Sequence, residues 1–230
     1  MSLARPMLVA ALAGACLATA AGTAAAKRAV GCGSSGYAYA GVAANDRSLG
    51  ISATIVPLSA PQVLSGHVGA WVGVGGVGAG PGGTNEWLQV GFSGFPGSSS
   101  LNLYYEVAQP NQAPHYVEIE SHLAPGTPRK VAVTEIRGRP NWWRVLVGGR
   151  MVGAPVRLAG SHSAWSPMAT TESWGGGSFV CNRFRFRFTG LAVATSAAGS
   201  WRGFGSASAF HDHGYRIVRR SRTSFVAGGF

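Results

Sequence analysis

Acidic side chains are scarce in this chain, which has 8 Asp and Glu against 19 Lys and Arg. Two glutamates have neighbours that suit catalysis. Glu106 directly follows a Tyr-Tyr pair, and Glu172 lies in the segment Ala-Thr-Thr-Glu-Ser-Trp-Gly-Gly-Gly. Burial among aromatic and glycine residues can raise the pKa of a carboxyl group towards values useful for general acid–base catalysis. Catalysis by a carboxyl group is therefore the first candidate chemistry.

Other familiar chemistries lack support in the sequence. The glycine-dense run 73–83 is not followed by a helical pattern, whereas a phosphate-binding loop needs a helix N-terminus. The motif His211-Asp-His213 has no recognisable third metal ligand, so a solvated loop is the simpler interpretation. There is no Gly-x-Ser-x-Gly motif of the α/β serine hydrolases. We therefore expect neither a metal ion nor an organic cofactor.

The elements that must position these residues are short β-strands. After residue 26, helical periodicity is nearly absent, and apolar or alternating runs recur between clusters of Gly, Pro, Ser and Asn. Gly148-Gly149 separates two such runs and predicts a tight hairpin. Many short strands at this spacing are typical of a sandwich or barrel. No stretch has the composition of an interdomain linker, so we expect residues 27–230 to form a single β domain.

One strand has a perfectly alternating sequence, Arg183-Phe-Arg-Phe-Arg-Phe188. Because successive side chains of a strand point to opposite faces, the phenylalanines are expected in the core and the arginines on the other face. An ordinary half-buried strand with a solvated face explains this pattern. A stripe that binds anions is the alternative.

Residues 1–26 have the pattern of a secretory signal peptide. Arg5 precedes a short apolar run, and small residues then lead to Ala24-Ala-Ala26. The run is shorter than the ~20 residues that span a bilayer. We therefore expect cleavage near Ala26, no membrane anchor and an extracellular protein. The Ala-, Gly- and Arg-rich composition indicates a bacterial source.

Cleavage at this point would leave two cysteines, Cys32 and Cys181. In an exported protein we expect them to form one disulfide that ties the mature N-terminus to a late strand. A closed loop of this length stabilises the fold by about 4–5 kcal/mol in the chain-entropy model.

The net charge of +11 favours anionic partners such as a cell-surface polymer, an acidic glycan or nucleic acid. Solubility alone is an equally good explanation, because a charge far from zero prevents association. Export argues against nucleic acid as the partner.

Several short motifs follow one another in a distinctive order. They are Trp71-Val-Gly-Val-Gly-Gly, Trp87-Leu-Gln-Val-Gly, Tyr104-Tyr-Glu, Pro125-Gly, Thr171-Glu-Ser-Trp, the Phe-rich strand Phe184–Thr189 and a closing Ser224-Phe. In order and spacing, this set resembles the glutamic peptidases, or eqolisins, over most of the mature chain. The family's own segments are Trp-Val-Gly-Ile-Asp-Gly, Leu-Gln-Thr-Gly, Tyr-Glu-Trp, a Gly-Asp turn and Ala-Glu-Trp.

This resemblance implies a two-sheet antiparallel β-sandwich, a concanavalin A-like jelly roll, with a polypeptide substrate. Gln89 matches the family's catalytic glutamine and Glu172 its catalytic glutamate. Trp71, Tyr105 and Glu106 match positions that line the family's substrate cleft. A glutamate can exchange a proton with water and the leaving amine, while a glutamine amide donates to the oxyanion. The expected function is endopeptidase activity at acid pH.

The sequence departs from the family pattern at several supporting positions. Gly75 replaces the aspartate of Trp-Val-Gly-Ile-Asp-Gly, and Ser93 replaces the aspartate four residues beyond the catalytic glutamine. Val107 replaces the tryptophan of Tyr-Glu-Trp, and glycines follow Glu172 where the family has another acid. Supporting residues of this kind commonly decide whether a site is active.

Three other functions remain open at this stage. The tryptophans could stack on sugar rings in a non-catalytic carbohydrate- or cell-surface-binding protein. Glu106 and Glu172 could form the carboxyl pair of a glycoside hydrolase. The arginine stripe and the basic segment 216–222 could bind nucleic acid.

Overall fold

The computed structural model describes residues 36–197 and 199–229, and β-strands account for most of this part of the chain. The strands are β1 (Tyr37–Ala44), β2 (Gly50–Pro57), β3 (His67–Gly76), β4 (Glu86–Gly94), β5 (Leu101–Ala108), β6 (His115–Leu123), β7 (Arg129–Ile136), β8 (Arg139–Val147), β9 (Arg150–Arg157), β10 (Pro167–Trp174), β11 (Phe184–Ala194), β12 (Trp201–Gly203), β13 (Ala207–His211), β14 (Tyr215–Ser221) and β15 (Ser224–Gly229). Two short 3₁₀ helices cover Pro81–Gly83 and Ala159–Ser161.

The strands form two antiparallel sheets. The seven-stranded sheet has the order β13-β1-β10-β3-β4-β5-β6, and the eight-stranded sheet has the order β14-β15-β11-β2-β7-β8-β9, with β12 paired to β11. The two sheets pack face to face around one buried apolar cluster. The predicted all-β, two-sheet antiparallel sandwich is confirmed.

Alternating strands build the core between the sheets. Phe184, Phe186 and Phe188 are almost fully buried, whereas Arg185 and Arg187 are exposed, as the alternating sequence predicts. Phe186 lies against Phe92 of the other sheet, with ring centroids 6.2 Å apart. Burying a side chain of this size stabilises the fold by about 1.5–3 kcal/mol. This packing fixes the two sheets relative to each other.

The predicted signal peptide (residues 1–26) and Cys32 lie outside the described residues. The Cys32–Cys181 disulfide therefore stays a prediction, as does the boundary at residue 27. In the part of the chain that the structure covers, no helix has the length and apolar character needed to cross a membrane.

Candidate active site

A cleft of about 510 Å³ lies on the outer face of the seven-stranded sheet, the face turned away from the second sheet. Strands β1, β10, β3, β4 and β5 supply most of its walls. Its lining includes Tyr37, Tyr39, His67, Trp71, Trp87, Gln89, Glu106, Met168, Glu172 and Phe210. The cleft therefore contains both glutamates singled out by the sequence.

The pairing register explains why these side chains meet. Glu172 of β10 lies opposite Gly69 of β3, and Gln89 of β4 lies opposite Gly73 of the same strand. Gly69 and Gly73 are four residues apart and thus share one face of β3. Directly paired residues also share a face, so Glu172 and Gln89 point to the same side, on strands that flank β3. On the next strand, Glu106 lies opposite Gln89.

Both carboxylates accept hydrogen bonds from indole N–H groups. Trp71 Nε1 donates to Glu172 Oε2 at 2.9 Å, and Trp87 Nε1 donates to Glu106 Oε1 at 3.0 Å. His67 approaches the other oxygen of Glu172, with Nε2 3.6 Å from Oε1. A neutral N–H donor fixes a carboxylate without the charge neutralisation that an arginine would bring. Each carboxylate is therefore held in place by an uncharged indole donor.

The amide of Gln89 is oriented by a buried tyrosine. Gln89 Nε2 donates to the hydroxyl of Tyr104 at 3.1 Å. A side-chain amide has a second N–H and a carbonyl oxygen with further hydrogen-bonding capacity. Gln89 can therefore act as both donor and acceptor towards a molecule in the cleft.

Burial has a clear electrostatic effect in the cleft. It is the main cause that raises the pKa of Glu106, and the nearby charge of Glu172 raises that pKa further. The hydrogen bond from Trp87 acts in the opposite direction. Burial also raises the pKa of Tyr37, Tyr39 and Tyr104. Glu106 is thus protonated more readily than an ordinary glutamate, because its environment disfavours the charged form.

Glycines on β3 and β4 lie close to the functional side chains of the cleft and to the neighbouring strand. A Cβ atom on Gly69 would lie 3.0 Å from both Cγ and Oε1 of Glu172, and one on Gly73 would lie 2.9 Å from Cβ of Gln89. Gly91, on the same face of β4, is packed so closely that its Cβ would collide with the backbone carbonyl of Ala70. The glycine-rich sequence of these strands thus makes room for the functional side chains.

The other acidic residues have structural partners. Glu86 and Glu135 are buried and accept backbone N–H hydrogen bonds at 2.6–2.8 Å, and Asp212 accepts one at 2.7 Å. Glu118, Glu120 and Asp46 contact the side chains of Asn102, Arg129 and Arg202, respectively. Among the described residues, no group of three His, Cys, Asp or Glu side chains could hold a metal ion.

Aromatic rings continue the cleft beyond Glu172. The ring of His67 lies 5.8 Å from Tyr37, 5.5 Å from Trp174 and 6.3 Å from Phe95, measured between centroids. Phe95 in turn contacts Tyr116, at 6.3 Å. Apart from His67, all of these rings are more than one third exposed. They form an open apolar rim on which an extended ligand could lie.

The structure brings together most of the predicted site residues, but not all. Gln89, Glu172, Trp71 and Glu106 line the cleft. Tyr105 does not, because it is adjacent to Glu106 on β5 and so faces the opposite side, where it packs against the core. The tyrosine that contacts Gln89 is Tyr104.

Sequence reasoning missed four groups at this site. His67 and Trp87 contact the two glutamates, while Tyr37 and Tyr39 come from β1. The Tyr-Ala-Tyr alternation was an available signal for β1. Nothing in the local sequence around His67 indicates its proximity to Glu172, which is 105 positions away.

Two of the positions that depart from the family pattern, Gly75 and Ser93, have local explanations. Gly75 has a φ of +84°, and a Cβ atom there would collide with the backbone carbonyl of Glu86. A side chain at this position would therefore be strained. Ser93 is buried, and its Oγ lies 2.9 Å from the hydroxyl of Tyr116. A neutral hydrogen-bonded pair stands where the family has an aspartate.

Comparison with solved structures agrees with this architecture. The fold is similar to that of scytalido-glutamic peptidase, solved with a transition-state analogue inhibitor, with a TM-score of 0.55 and 16% sequence identity over 85% of this chain and 98% of that chain. SCP-B, an eqolisin-family peptidase solved with the tripeptide Ala-Ile-His, aligns over 85% of this chain and 98% of its own chain. The sequence identity is 16% and the TM-score is 0.49. No family model and no curated protein match the chain. The chain has a glutamic-peptidase-like β-sandwich fold.

Proposed function

We propose that this protein is an exported endopeptidase of the glutamic type, with Glu172 and Gln89 as its catalytic pair. The observation that carries the proposal is that both side chains line one cleft, on strands that flank β3, with Trp71 hydrogen-bonded to the carboxylate. A polypeptide is the substrate that this pair would serve.

In the proposed reaction, the Glu172 carboxylate takes a proton from a water molecule as the water oxygen attacks the peptide carbonyl carbon. The carbonyl oxygen becomes an oxyanion, and the amide of Gln89 donates a hydrogen bond to it. Glu172 then passes its proton to the amide nitrogen, and the C–N bond breaks. The products are a carboxylic acid and an amine, and Glu172 returns to its starting state.

The surroundings of the pair support a preference for acid pH. Since burial raises the pKa of Glu106, this side chain takes up a proton more readily than an ordinary glutamate. Its protonation removes a negative charge that would compete with Glu172 for the proton of the attacking water. The exposed aromatic rim supplies apolar surface for the side chains of an extended peptide.

The test is proteolysis of an unfolded protein by the purified mature protein from about pH 2 to 7. We expect acid-peaked cleavage that is lost in Glu172→Gln and Gln89→Ala. Glu118→Gln is the matched control, since it removes a carboxylate from β6 that is not part of the cleft lining. Cleavage that persists in Glu172→Gln would refute the proposal.

The second candidate is a non-catalytic carbohydrate-binding protein that uses the same cleft. The exposed rings of Tyr37, Trp174 and Phe95 favour it, because flat aromatic surfaces suit sugar rings. Sugar binding that is unaffected by Glu172→Gln, in a folded protein without proteolysis at any pH, would support this candidate over the first.

A further inference from the structure

Charged side chains are divided between the two sheets. In the seven strands of the cleft-bearing sheet, all of which the structure describes, there is no Lys or Arg. The acidic residues of these strands are Glu86, Glu106, Glu118, Glu120 and Glu172. The cleft therefore belongs to an acidic sheet, although the chain as a whole is basic.

The strands of the eight-stranded sheet have the opposite composition. Their basic residues are Arg129, Lys130, Arg139, Arg144, Arg150, Arg157, Arg185, Arg187, Arg202, Arg216, Arg219 and Arg220. Within these fully described strands the one acidic residue is Glu135, which is buried and accepts a hydrogen bond from the backbone of Asn141. Positive charge is thus concentrated on the sheet that does not form the cleft.

Four of these residues share the outer face of the sheet. Arg216 of β14 and Arg185 of β11 both lie opposite Gly228 of β15, so they flank it on one face. Arg187 is two residues beyond Arg185, and Lys130 lies on the same face through its pairing with Thr54. All four side chains are exposed. We call Arg185, Arg187, Arg216 and Lys130 the basic face.

The basic face extends across five neighbouring strands, from β14 to β7. Neighbouring strands are ~4.8 Å apart and alternate residues of one strand ~6.7 Å apart, so the face spans ~19 Å from β14 to β7. The outward residues Val56 and Val226 are nonetheless buried. This is the effect expected when long arginine stems lie over small neighbours. The charges are therefore presented by a rigid sheet rather than by mobile loops.

We propose that the basic face docks the protein on an acidic polysaccharide, with the cleft directed away from the polymer. The two surfaces are the outer faces of opposite sheets, so an occupied basic face leaves the cleft open. Guanidinium groups bind carboxylates through paired hydrogen bonds, so several of them on one face suit a polymer that carries many carboxylates.

The composition of the face favours a polysaccharide over two other anionic partners. Proteins that hold single-stranded nucleic acid stack aromatic side chains on its bases, whereas the outward residues between these arginines are Val56, Val226 and Gly228. Trp201, which lines a pocket with Lys130, is paired with Ala194, seven residues along β11 from Arg187. Proteins that lie on lipid surfaces insert several large apolar side chains, whereas Val56 and Val226 are buried and Gly228 has no side chain. Val218, opposite Val226 on β14, is an exposed apolar residue beside Arg216.

The experiment measures binding of the purified mature protein to polygalacturonate at about 50 mM salt, with neutral dextran, single-stranded DNA and anionic phospholipid vesicles as comparison ligands. The test variant carries Arg185→Gln, Arg187→Gln and Arg216→Gln. The matched control carries Arg137→Gln, Arg150→Gln and Arg157→Gln, which make the same change in net charge. These exposed control residues lie at or next to β8 and β9, at the far edge of the sheet from β14.

We expect the test variant to bind polygalacturonate at least 10-fold more weakly and the control less than 3-fold more weakly. Wild-type binding should fall steeply as salt rises, which tests the charge dependence without any substitution. Equal losses in the two triple variants would overturn the proposal, as would tighter binding to DNA or vesicles at equal charge concentration. Glu172→Gln should bind normally, so this result is independent of the proposed peptidase activity.

Discussion

Glu172 and Trp71 lie on paired strands and are joined by a 2.9 Å hydrogen bond from the indole Nε1 to Oε2. They are diagonal neighbours, because Glu172 lies opposite Gly69 and Trp71 lies opposite Thr170. The large indole therefore reaches across a position that has no side chain. The orientation of the carboxylate depends on both the tryptophan and the glycine, and each can be tested separately.

Replacing Trp71 by Phe should lower kcat/KM by about 10- to 100-fold, since a hydrogen bond to a charged group contributes ~1.5–3 kcal/mol. The ring is retained, so the melting temperature should change little. Peptide-cleavage kinetics and circular dichroism would measure both quantities. Trp142→Phe, on the other sheet, serves as the control and should retain wild-type activity. Equal activity in the two variants would exclude a role for the indole N–H.

Replacing Gly69 by Ala should displace Glu172, because the new methyl group would lie 3.0 Å from its Cγ and Oε1. We expect cleavage to fall at least 10-fold while the fold is retained. Gly205→Ala is a suitable control, since its Cβ would make only ordinary contacts, at 3.8 Å or more. Undiminished activity in Gly69→Ala would show that the carboxylate position is not restricted in this way.

Glu106→Gln should change the pH dependence of stability. Burial raises the pKa of Glu106 above its ordinary value of 4.5, so the folded state binds the proton more tightly than the unfolded state. The wild type therefore loses free energy of unfolding as the pH rises through the window above 4.5. The variant lacks this loss and should gain stability relative to the wild type between pH 4 and 7. Urea unfolding at several pH values would measure the difference, and a parallel pH dependence of the two proteins would contradict it.

Glu120→Gln should change the pH dependence of stability in the opposite direction. The hydrogen bond from Arg129 lowers the pKa of Glu120, so its stabilising effect is present above the ordinary value of 4.5 and is lost as the pH falls below it. The pair is partly exposed, and we expect the variant to lose no more than ~1 kcal/mol at pH 7. The same urea series should show this loss shrinking towards pH 2. A constant difference at all pH values would point to packing instead of charge.

Restoring the family's aspartate by Gly75→Asp should destabilise the protein rather than improve the site. The backbone has a φ of +84°, and the Cβ atom would collide with the carbonyl of Glu86. Strain of this kind amounts to ~1–3 kcal/mol. A lower melting temperature would demonstrate it, with Gly76→Asp as the control because nothing lies within 4 Å of its Cβ. A variant as stable as the wild type would mean that the strand adjusts easily.

The fold could be predicted from the sequence because its strongest signals are local. Alternation in 183–188 placed the phenylalanines in the core and the arginines outside, and the structure confirms this placement. Turn residues such as Gly148-Gly149, which connect β8 and β9, mark where strands end. These patterns arise from the backbone geometry and solvent contact of each residue. They can therefore be recognised within the sequence of a single strand.

The cleft was less predictable because it depends on pairing between distant strands. Strand β1 was not predicted, as its Tyr-Ala-Tyr alternation is followed by small residues that weaken the pattern, yet it supplies Tyr39 directly opposite Glu172. Tyr105 was assigned to the cleft by its match to the family's motif, although it is adjacent to Glu106 and adjacent strand residues face opposite sides. The contact between His67 and Glu172 requires the register of two strands far apart in the chain. The local sequence of neither strand specifies this pairing register.

The strand order also determines when this cleft can exist. Strand β10, which carries Glu172, pairs with β1 and β3, and β1 pairs in turn with β13 near the end of the described chain. The cleft lining runs from Tyr37 to Phe210. A nascent chain that has emerged only as far as β9 has Gln89 but not Glu172, and β1 still lacks both of its partner strands. Because such distant strands pair late in folding, the cleft is assembled only after β10 and β13 have been synthesised.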